Sequence, residues 1–325
     1  PDGMPQCGAD GLRFGLLSYT VQGRDVNLDV QRVFGYRKFC NKLWNLFKFA
    51  FMMADLGTFK ASGNLDVDIM QMKLSERDRW ILSRCANASK ITKDKIEGYH
   101  FGDACASIYN FFLNELCNVY VELVKPVLRN KDDADAREAA RATLYVCLDT
   151  GLRLLHPIMP YITEELYQRL GRREGDSTES ISLALYPDPD KQEGLKGWIN
   201  NEMDVKVDAV MKVTDGFLKI RGSYFSGQYS KKTPEAYVFA KEGDVRIPYI
   251  TAQTSDIKTL AKLANVTVLK NIDDVPEGCC AQPIDGDLQV YVQLKGVIDF
   301  GKEVTKLTKE LGKFQGMVKK IESKK

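Results

Sequence analysis

Histidine, paired cysteine motifs and long apolar runs are all scarce in this 325-residue sequence. The two histidines are His100 and His156, and the eight cysteines contain no Cys-x-x-Cys pair, so the usual ligand sets of a structural zinc site are missing. No apolar stretch approaches the roughly 20 residues of a membrane-spanning helix. The 46 Lys and Arg nearly balance the 44 Asp and Glu, which excludes a uniformly basic nucleic-acid coat. We therefore expect no metal site, no membrane partner and the reduced thiols typical of cytoplasmic proteins.

Catalytic motifs are missing as well. The sequence has no Gly-rich phosphate loop of the G-x-G-x-x-G or G-x-x-x-x-G-K type, and no Ser or Cys at a nucleophile's spacing from a His. Glu164 and Glu165 are adjacent carboxylates, but their helical surroundings favour a solvated helix face. The sequence thus predicts no catalytic residue. Because it begins with Pro1 and not with Met, we interpret it as a fragment of a longer protein.

Helical periodicity dominates residues 33–186. The first helix carries an apolar stripe and ends near Gly57; the stripe comprises Val33, Tyr36, Cys40, Leu43, Phe47 and Phe51. A second helix starts with a capping-box pattern at Ser75 and Asp78. A third runs from Phe101 until Pro126 stops it. Two more follow, one ending at His156 and a shorter one around residues 160–170. Five helices with short connections predict a bundle.

A Pro/Asp cluster at residues 186–190 marks the predicted domain boundary. Helical patterns at 198–220 and 255–264, with strand patterns at 235–240, 266–269 and 288–294, predict a small α/β domain beyond it. A heptad seam then follows at Val304, Leu307, Leu311, Phe314, Val318 and Ile321. The predicted fold is mainly α: a connector (1–32), a helical bundle (33–186), a small α/β domain (187–296) and the first helix of a truncated coiled-coil arm (297–325).

The outward face of the first helix combines lysines and amides with one aromatic side chain: Lys38, Asn41, Lys42, Asn45, Lys48 and Phe49. On the third helix the side opposite the core carries Asn110, Asn114, Asn118, Cys117 and Val121. Such a surface suits single-stranded RNA, because ammonium groups bind phosphates and an aromatic ring stacks on unpaired bases. The alternative is that another helix packs on this face and Phe49 belongs to the core.

Several long strings in the sequence resemble valyl-tRNA synthetase. Residues 8–14, 22–29 and 35–45 are similar to the region just after its catalytic lysine-signature loop, and the run Gly-Arg-Asp-Val-Asn-Leu-Asp at 23–29 is more similar to the valyl branch than to the isoleucyl or leucyl branches. Residues 78–84, 114–117, 120–126 and 155–167 resemble its anticodon-binding bundle. The heptad helix resembles, more weakly, the first helix of the family's C-terminal coiled coil.

The resemblance implies that the central anticodon bases bind between the first and third bundle helices. By position, Phe49 stacks on one base, while Cys117 and Val121 line the pocket for its neighbour. Asn27 and Gln31 stand where the family can use basic residues for anticodon-loop contacts, and here both are neutral. From the helix faces described above, we add Lys38, Asn41, Lys42, Asn45 and Asn114 as predicted anticodon contacts. The Lys-rich arm is expected to contact the tRNA elbow through Lys302, Lys306, Lys309 and Lys313.

We therefore expect the C-terminal, tRNA-binding part of a cytoplasmic valyl-tRNA synthetase, with valine tRNA and the catalytic domain of the same polypeptide as partners and no DNA partner. The family joins valine to its tRNA with ATP and Mg²⁺. Its His-x-Gly-His signature, Lys-rich ATP loop and editing domain are not in this sequence, so we expect no cofactor here and no catalysis by this chain alone. The alternative is a synthetase-derived scaffold or regulatory protein that binds protein partners through the heptad helix. An unrelated helical enzyme would need a nucleophile or metal cluster that we do not find.

Overall fold

The computed structural model describes residues 3, 5–20, 28–299, 301, 304–305, 308, 311–312 and 314–315. The chain divides into two compact units, 1–205 and 206–325. The boundary expected at 186/187 thus falls inside the first unit, because the residues that follow it pack there. Leu195 and Trp198 are buried, and the Trp198 indole donates a hydrogen bond to the carbonyl of Asp66.

The first unit is the helical bundle that the periodicity predicts. Its α-helices are α1 (Ala9–Ser18), α2 (Val30–Ala54), α3 (Leu65–Asp68), α4 (Glu76–Glu97), α5 (Phe101–Asn110), α6 (Val121–Arg129), α7 (Ala134–Leu155), α8 (Pro160–Arg169) and α9 (Glu193–Trp198). A tenth, α10 (Asn201–Tyr224), begins in this unit and continues into the second. No helix within the described ranges has the length and apolar character needed to cross a membrane.

Local capping chemistry explains where two long helices begin. The Ser75 hydroxyl accepts from the main-chain N–H of Asp78, and the Asp78 carboxylate accepts from that of Ser75, so the predicted capping box at α4 is confirmed. The Asp133 carboxylate caps α7 by accepting from the N–H of Ala136. The C-terminal end of α2 is also set locally. The helix stops at Ala54 because Asp55 adopts the left-handed conformation, with φ 52°.

The third long helix departs from the prediction in two ways. Residues Phe111–Tyr120 form a π-helix between α5 and α6, a rare conformation that concentrates at functional sites. The helix also continues past Pro126 to Arg129, so the prediction that Pro126 ends it was wrong. Proline removes one main-chain hydrogen bond. Val124 and Leu128, one on each side of it, are buried, and their packing holds the last turn in helical form.

Helix α7 lies at the centre of the bundle, with almost every residue from Ala139 to Leu155 buried. The π-helix approaches it closely at one point. A Cβ atom placed on Gly151 would lie 2.5 Å from Cζ of the Phe112 ring, so the two helices meet at a distance that only glycine allows. This contact fixes the π-helix against the centre of the unit.

The second unit contains a mixed sheet of four described strands: β1 (Glu235–Ala240), β2 (Asn265–Leu269), β3 (Cys279–Pro283) and β4 (Leu288–Gln293). Their order is β2-β1-β4-β3; β1 and β2 are parallel, and β4 is antiparallel to both β1 and β3. The three predicted strands are present. The fourth, β3, was not predicted because it is short, ends in proline and has no alternating apolar pattern.

Helices cover one face of this sheet. Between β1 and β2 the chain forms α11 (Ile247–Ala252) and α12 (Thr254–Ala261). Val213 and Phe217 of α10 pack with Ile257 of α12 against the sheet residues Val238 and Val290. The mainly α fold with a small α/β unit is therefore confirmed.

The heptad segment is described only in part. Val304, Leu311 and Phe314 are 61%, 56% and 64% exposed. The other seam residues, Leu307, Val318 and Ile321, lie outside the described residues. The coiled coil remains a prediction.

The contact at Gly151 gives a stability test. Gly151→Ala forces a methyl group into the Phe112 ring and is expected to lower the free energy of unfolding by about 1–3 kcal/mol. Gly35→Ala in α2 is the matched control, because nothing lies within 4 Å of its Cβ position and alanine favours helix by about 0.5–1 kcal/mol. Urea denaturation followed by far-ultraviolet circular dichroism measures both. Equal effects of the two substitutions would contradict the close approach.

Candidate functional site

Two side-chain interactions link α2 to the continuous helix that the π-helix and α6 form. The Lys125 ammonium on α6 lies 5.9 Å from the centroid of the Phe49 ring on α2. Lys42, also on α2, is close enough to Cys117 of the π-helix for its charge to act on the thiol. We call this region the α2/π surface; it consists of Lys42, Phe49, Asn114, Cys117 and Lys125. The structure thus brings together the two helix faces that the sequence singles out.

The polar residues predicted on α2 are open to solvent. Phe49 is half-buried, so one part of its ring packs and another part is accessible. No helix of the described chain covers the exposed residues of this face, which are Lys38, Asn41, Lys42, Asn45 and Lys48. Gln31, in the first turn of α2, is exposed as well. In the described part of the chain these side chains are exposed to solvent.

The π-helix contributes polar and small side chains to the same surface. Asn114 and Asn118 are exposed and Cys117 is half-buried. Val121 is only 7% exposed, so it lies beneath the α2/π surface and presents little surface area to a ligand. Asn114, Cys117 and Asn118 all lie within the π-helical segment, where i→i+5 hydrogen bonding changes side-chain directions relative to an α-helix.

Other predicted site residues cannot be located in this way. Asn27 and the arm residues Lys302, Lys306, Lys309 and Lys313 lie outside the described residues. Their proposed tRNA contacts remain predictions.

Sequence reasoning missed Lys125 as a candidate binding residue. A weak signal was present, because Lys125 follows Val121 by four residues and therefore lies one helical turn beyond it on the same face. The ammonium also pairs with the Glu122 carboxylate at 2.5 Å, which holds the side chain at the surface beside Phe49.

A chain of hydrogen-bonded polar side chains lies behind the π-helix, and its inner member, Glu115, is buried. The Oε1 atom of Glu115 accepts three hydrogen bonds, from Nε and Nη2 of Arg84 at 2.9 and 2.5 Å and from Nδ2 of Asn110 at 2.8 Å. Burial raises the pKa of Glu115, although Arg84 acts in the opposite direction. Oδ1 of Asn110 in turn accepts from Nδ2 of Asn114 at 2.8 Å, so the chain ends on the α2/π surface.

This polar chain borders a cavity of about 400 Å³ between α4 and α5. Its polar lining residues are Arg84, Asn87, Asp103, Ser107, Asn110 and Glu115. Within the described ranges no group of three His, Cys, Asp or Glu side chains is arranged to hold a metal ion. The side chains of the α2/π surface supply hydrogen-bonding groups, positive charge and one aromatic ring.

Cys117 reports the local electrostatics of the α2/π surface. Burial raises the pKa of its thiol to about 11, and Lys42 partly opposes the rise. Little thiolate therefore exists near neutral pH, and we expect alkylation of Cys117 by iodoacetamide at pH 8 to be about two orders of magnitude slower than that of free cysteine. Lys42→Ala removes the favourable charge, raises the pKa further and slows the reaction. Peptide mass spectrometry measures the rate at Cys117.

Lys48→Ala is the matched control for that experiment, because Lys48 lies on the same helix and does not act on the Cys117 thiol. It should leave the rate unchanged. A Cys117 that reacts as fast as free cysteine at pH 8 would contradict the burial described here.

The chain is similar in sequence to a known domain family and to several known proteins. Residues 78–233 match the family of the anticodon-binding domain of tRNA ligases. The chain is 36% identical to a valine–tRNA ligase of Rattus norvegicus, over 100% of this chain and 25% of the relative. It is 39% identical to one of Caenorhabditis elegans over 99% of this chain and 30% of the relative, and 33% identical to the mitochondrial 1 valine–tRNA ligase of Arabidopsis thaliana over 99% and 28%. It thus spans roughly a quarter to a third of these relatives' length.

Proposed function

We propose that this chain binds the anticodon arm of valine tRNA through the α2/π surface. The proposal is supported by homology along the chain to a C-terminal part of the valine–tRNA ligases and by the match to the anticodon-binding domain of tRNA ligases. The contact between the Phe49 ring and the Lys125 ammonium, at 5.9 Å, carries this proposal. It combines a partly exposed aromatic face with a positive charge, the two groups that an unpaired base and its phosphate require.

Each side chain of the surface has a distinct role in the proposal. Phe49 stacks on one anticodon base, an interaction worth roughly 1–3 kcal/mol. Lys125 binds a phosphate together with the exposed lysines of α2, Lys38 and Lys42. The amides of Asn41, Asn45 and Asn114 are placed to hydrogen-bond base edges. A wrong base leaves such polar groups unpaired, which costs about 1–3 kcal/mol each.

In this proposal the parent enzyme carries out the aminoacylation reaction, and this chain alone does not. We assign the activation of valine with ATP and Mg²⁺ to the catalytic domain of the parent enzyme, and to this chain the selection of the tRNA. Its eight free cysteines support a location in the reducing cytoplasm.

Anticodon selection is tested by fluorescence anisotropy with valine tRNA and with the same tRNA carrying a changed middle anticodon base. We expect wild type to prefer the native anticodon and Phe49→Ala to lose most of that preference, because the stacking platform is gone. Trp44→Ala is the matched control. Trp44 is an aromatic residue on the same helix, 42% exposed, that points about 140° away from Phe49 and packs beside Arg169.

Wild-type protein that binds both tRNAs equally, or neither, would contradict the proposed function. The protein-binding role of the heptad helix would then be the function to pursue.

The phosphate contacts are tested by the salt dependence of the same binding reaction. Lys125→Ala should weaken binding to both tRNAs alike and reduce the slope of log affinity against log salt by about 0.7–0.9, the contribution of one phosphate contact. Lys131→Ala, at an exposed lysine in the loop after α6, should leave the slope unchanged. A Lys125→Ala protein with the wild-type slope would exclude Lys125 as a phosphate ligand.

A further inference from the structure

The polar chain behind the π-helix has a fixed direction. Glu115 is 8% exposed and faces the Arg84 guanidinium, so its side chain is a carboxylate that accepts hydrogen bonds and donates none. Asn110 must therefore turn its NH₂ group toward Glu115, as the 2.8 Å contact from Nδ2 shows. The orientation of the Asn110 amide follows from the chemistry of its neighbour.

The fixed direction of the hydrogen bonds continues for one more residue, to Asn114 at the surface. With its NH₂ group committed to Glu115, Asn110 presents its carbonyl oxygen to Asn114. The NH₂ group of Asn114 donates a hydrogen bond to this oxygen, with 2.8 Å between Nδ2 and Oδ1. The Asn114 amide then turns its carbonyl oxygen away from Asn110, where it can accept a hydrogen bond from a ligand, and its second N–H can still donate one. Asn114 is exposed, so a ligand can reach it.

Arg84 holds the inner end of this chain in place. It donates two hydrogen bonds to Glu115, and its Nη1 atom lies 3.8 Å from Oδ2 of Asp204. Asp204 is itself fixed by hydrogen bonds from Asn87 at 2.8 Å and Ser83 at 3.3 Å. The guanidinium group therefore lies between two carboxylates that cannot easily move, and the position of Glu115 depends on it.

We propose that Glu115 and Arg84 are positioning residues that set the base preference of the α2/π surface, by turning the Asn114 carbonyl outward to accept a hydrogen bond from a base that carries an amino group. The inference rests on the proposed function, because it assumes that an anticodon base reaches Asn114. Adenine and cytosine present an amino group on their pairing edge, and inosine and uracil present a carbonyl in the same place. The surface prefers the first pair.

A variant that reverses the direction of the hydrogen bonds in the polar chain gives a direct test. Glu115→Gln keeps the size of the side chain and an acceptor for Arg84, and it supplies an NH₂ group that can donate to Asn110. Both asparagine amides can then turn round, so that Asn114 presents its NH₂ group outward. In anisotropy titrations of the full 325-residue chain, each anticodon adenine is replaced in turn by inosine and each cytosine by uracil.

Wild type should prefer the amino-bearing base at one position by about tenfold or more. Glu115→Gln should abolish or reverse that preference while its affinity for the preferred tRNA falls much less. Glu138→Gln is the matched control. It removes an equivalent charge from an ion pair with Arg141 on α7, outside the polar chain, and should retain the wild-type preference.

A double-mutant cycle separates positioning from a general loss of structure. Asn114 is exposed, so Asn114→Ala should fold and lose the amino preference. Glu115→Gln should then have no further effect on discrimination in the Asn114→Ala background, because the residue through which it acts is gone. Independent, additive effects of the two substitutions would overturn the inference. If Glu115→Gln does not fold, Asn114→Ala alone decides, and a retained amino preference overturns it.

Failure of the inference is distinguishable from failure of the proposed function. Wild-type protein without any anticodon preference overturns both. Wild-type protein that discriminates, with a Glu115→Gln variant that discriminates in the same way, overturns the positioning role and leaves the proposed function standing.

Discussion

The first unit depends on one buried carboxylate, that of Asp149 on the central helix α7. It is 5% exposed and accepts hydrogen bonds from Arg153 and Arg173, both at 2.7 Å, and Arg173 also pairs with Asp66 at 2.8 Å. Burial acts to raise the pKa of Asp149, but the two guanidinium groups outweigh it and lower the pKa. Removing one partner from such a network typically costs about 3–5 kcal/mol. The network therefore joins α3, α7 and the segment after α8 into one body.

Packing transmits this rigidity to the binding surface. Helix α7 is fixed by its ion pairs, and Gly151 lets Phe112 approach it closely. The π-helix is thereby held on its core side, while Glu115 and Arg84 hold it from the α4 side. Its remaining face, with Asn114, is exposed to solvent. π-Helices are rare and occur most often at functional sites, so this segment is consistent with the proposed binding of an anticodon base beside Asn114.

Much of this could be predicted from the sequence, because local chemistry decides it. The capping box at Ser75, the strand at 235–240 and the polar face of α2 all follow from patterns within a few residues. The π-helix could not be predicted, since the apolar spacing continues through it without a break. The pairing of Arg84 with Glu115 spans 31 residues of sequence and leaves no local signal. The predicted helix end at Pro126 was wrong because tertiary packing outweighs the main-chain hydrogen bond that proline removes.

The central claim is that anticodon bases bind between α2 and the π-helix. Photo-crosslinking tests it most directly: the full chain is bound to valine tRNA that carries 4-thiouridine in the anticodon loop, irradiated, digested and mapped by mass spectrometry. We expect crosslinks to peptides that contain residues 38–49 and 114–125. Crosslinks confined to the second unit, with none in those two segments, would contradict it.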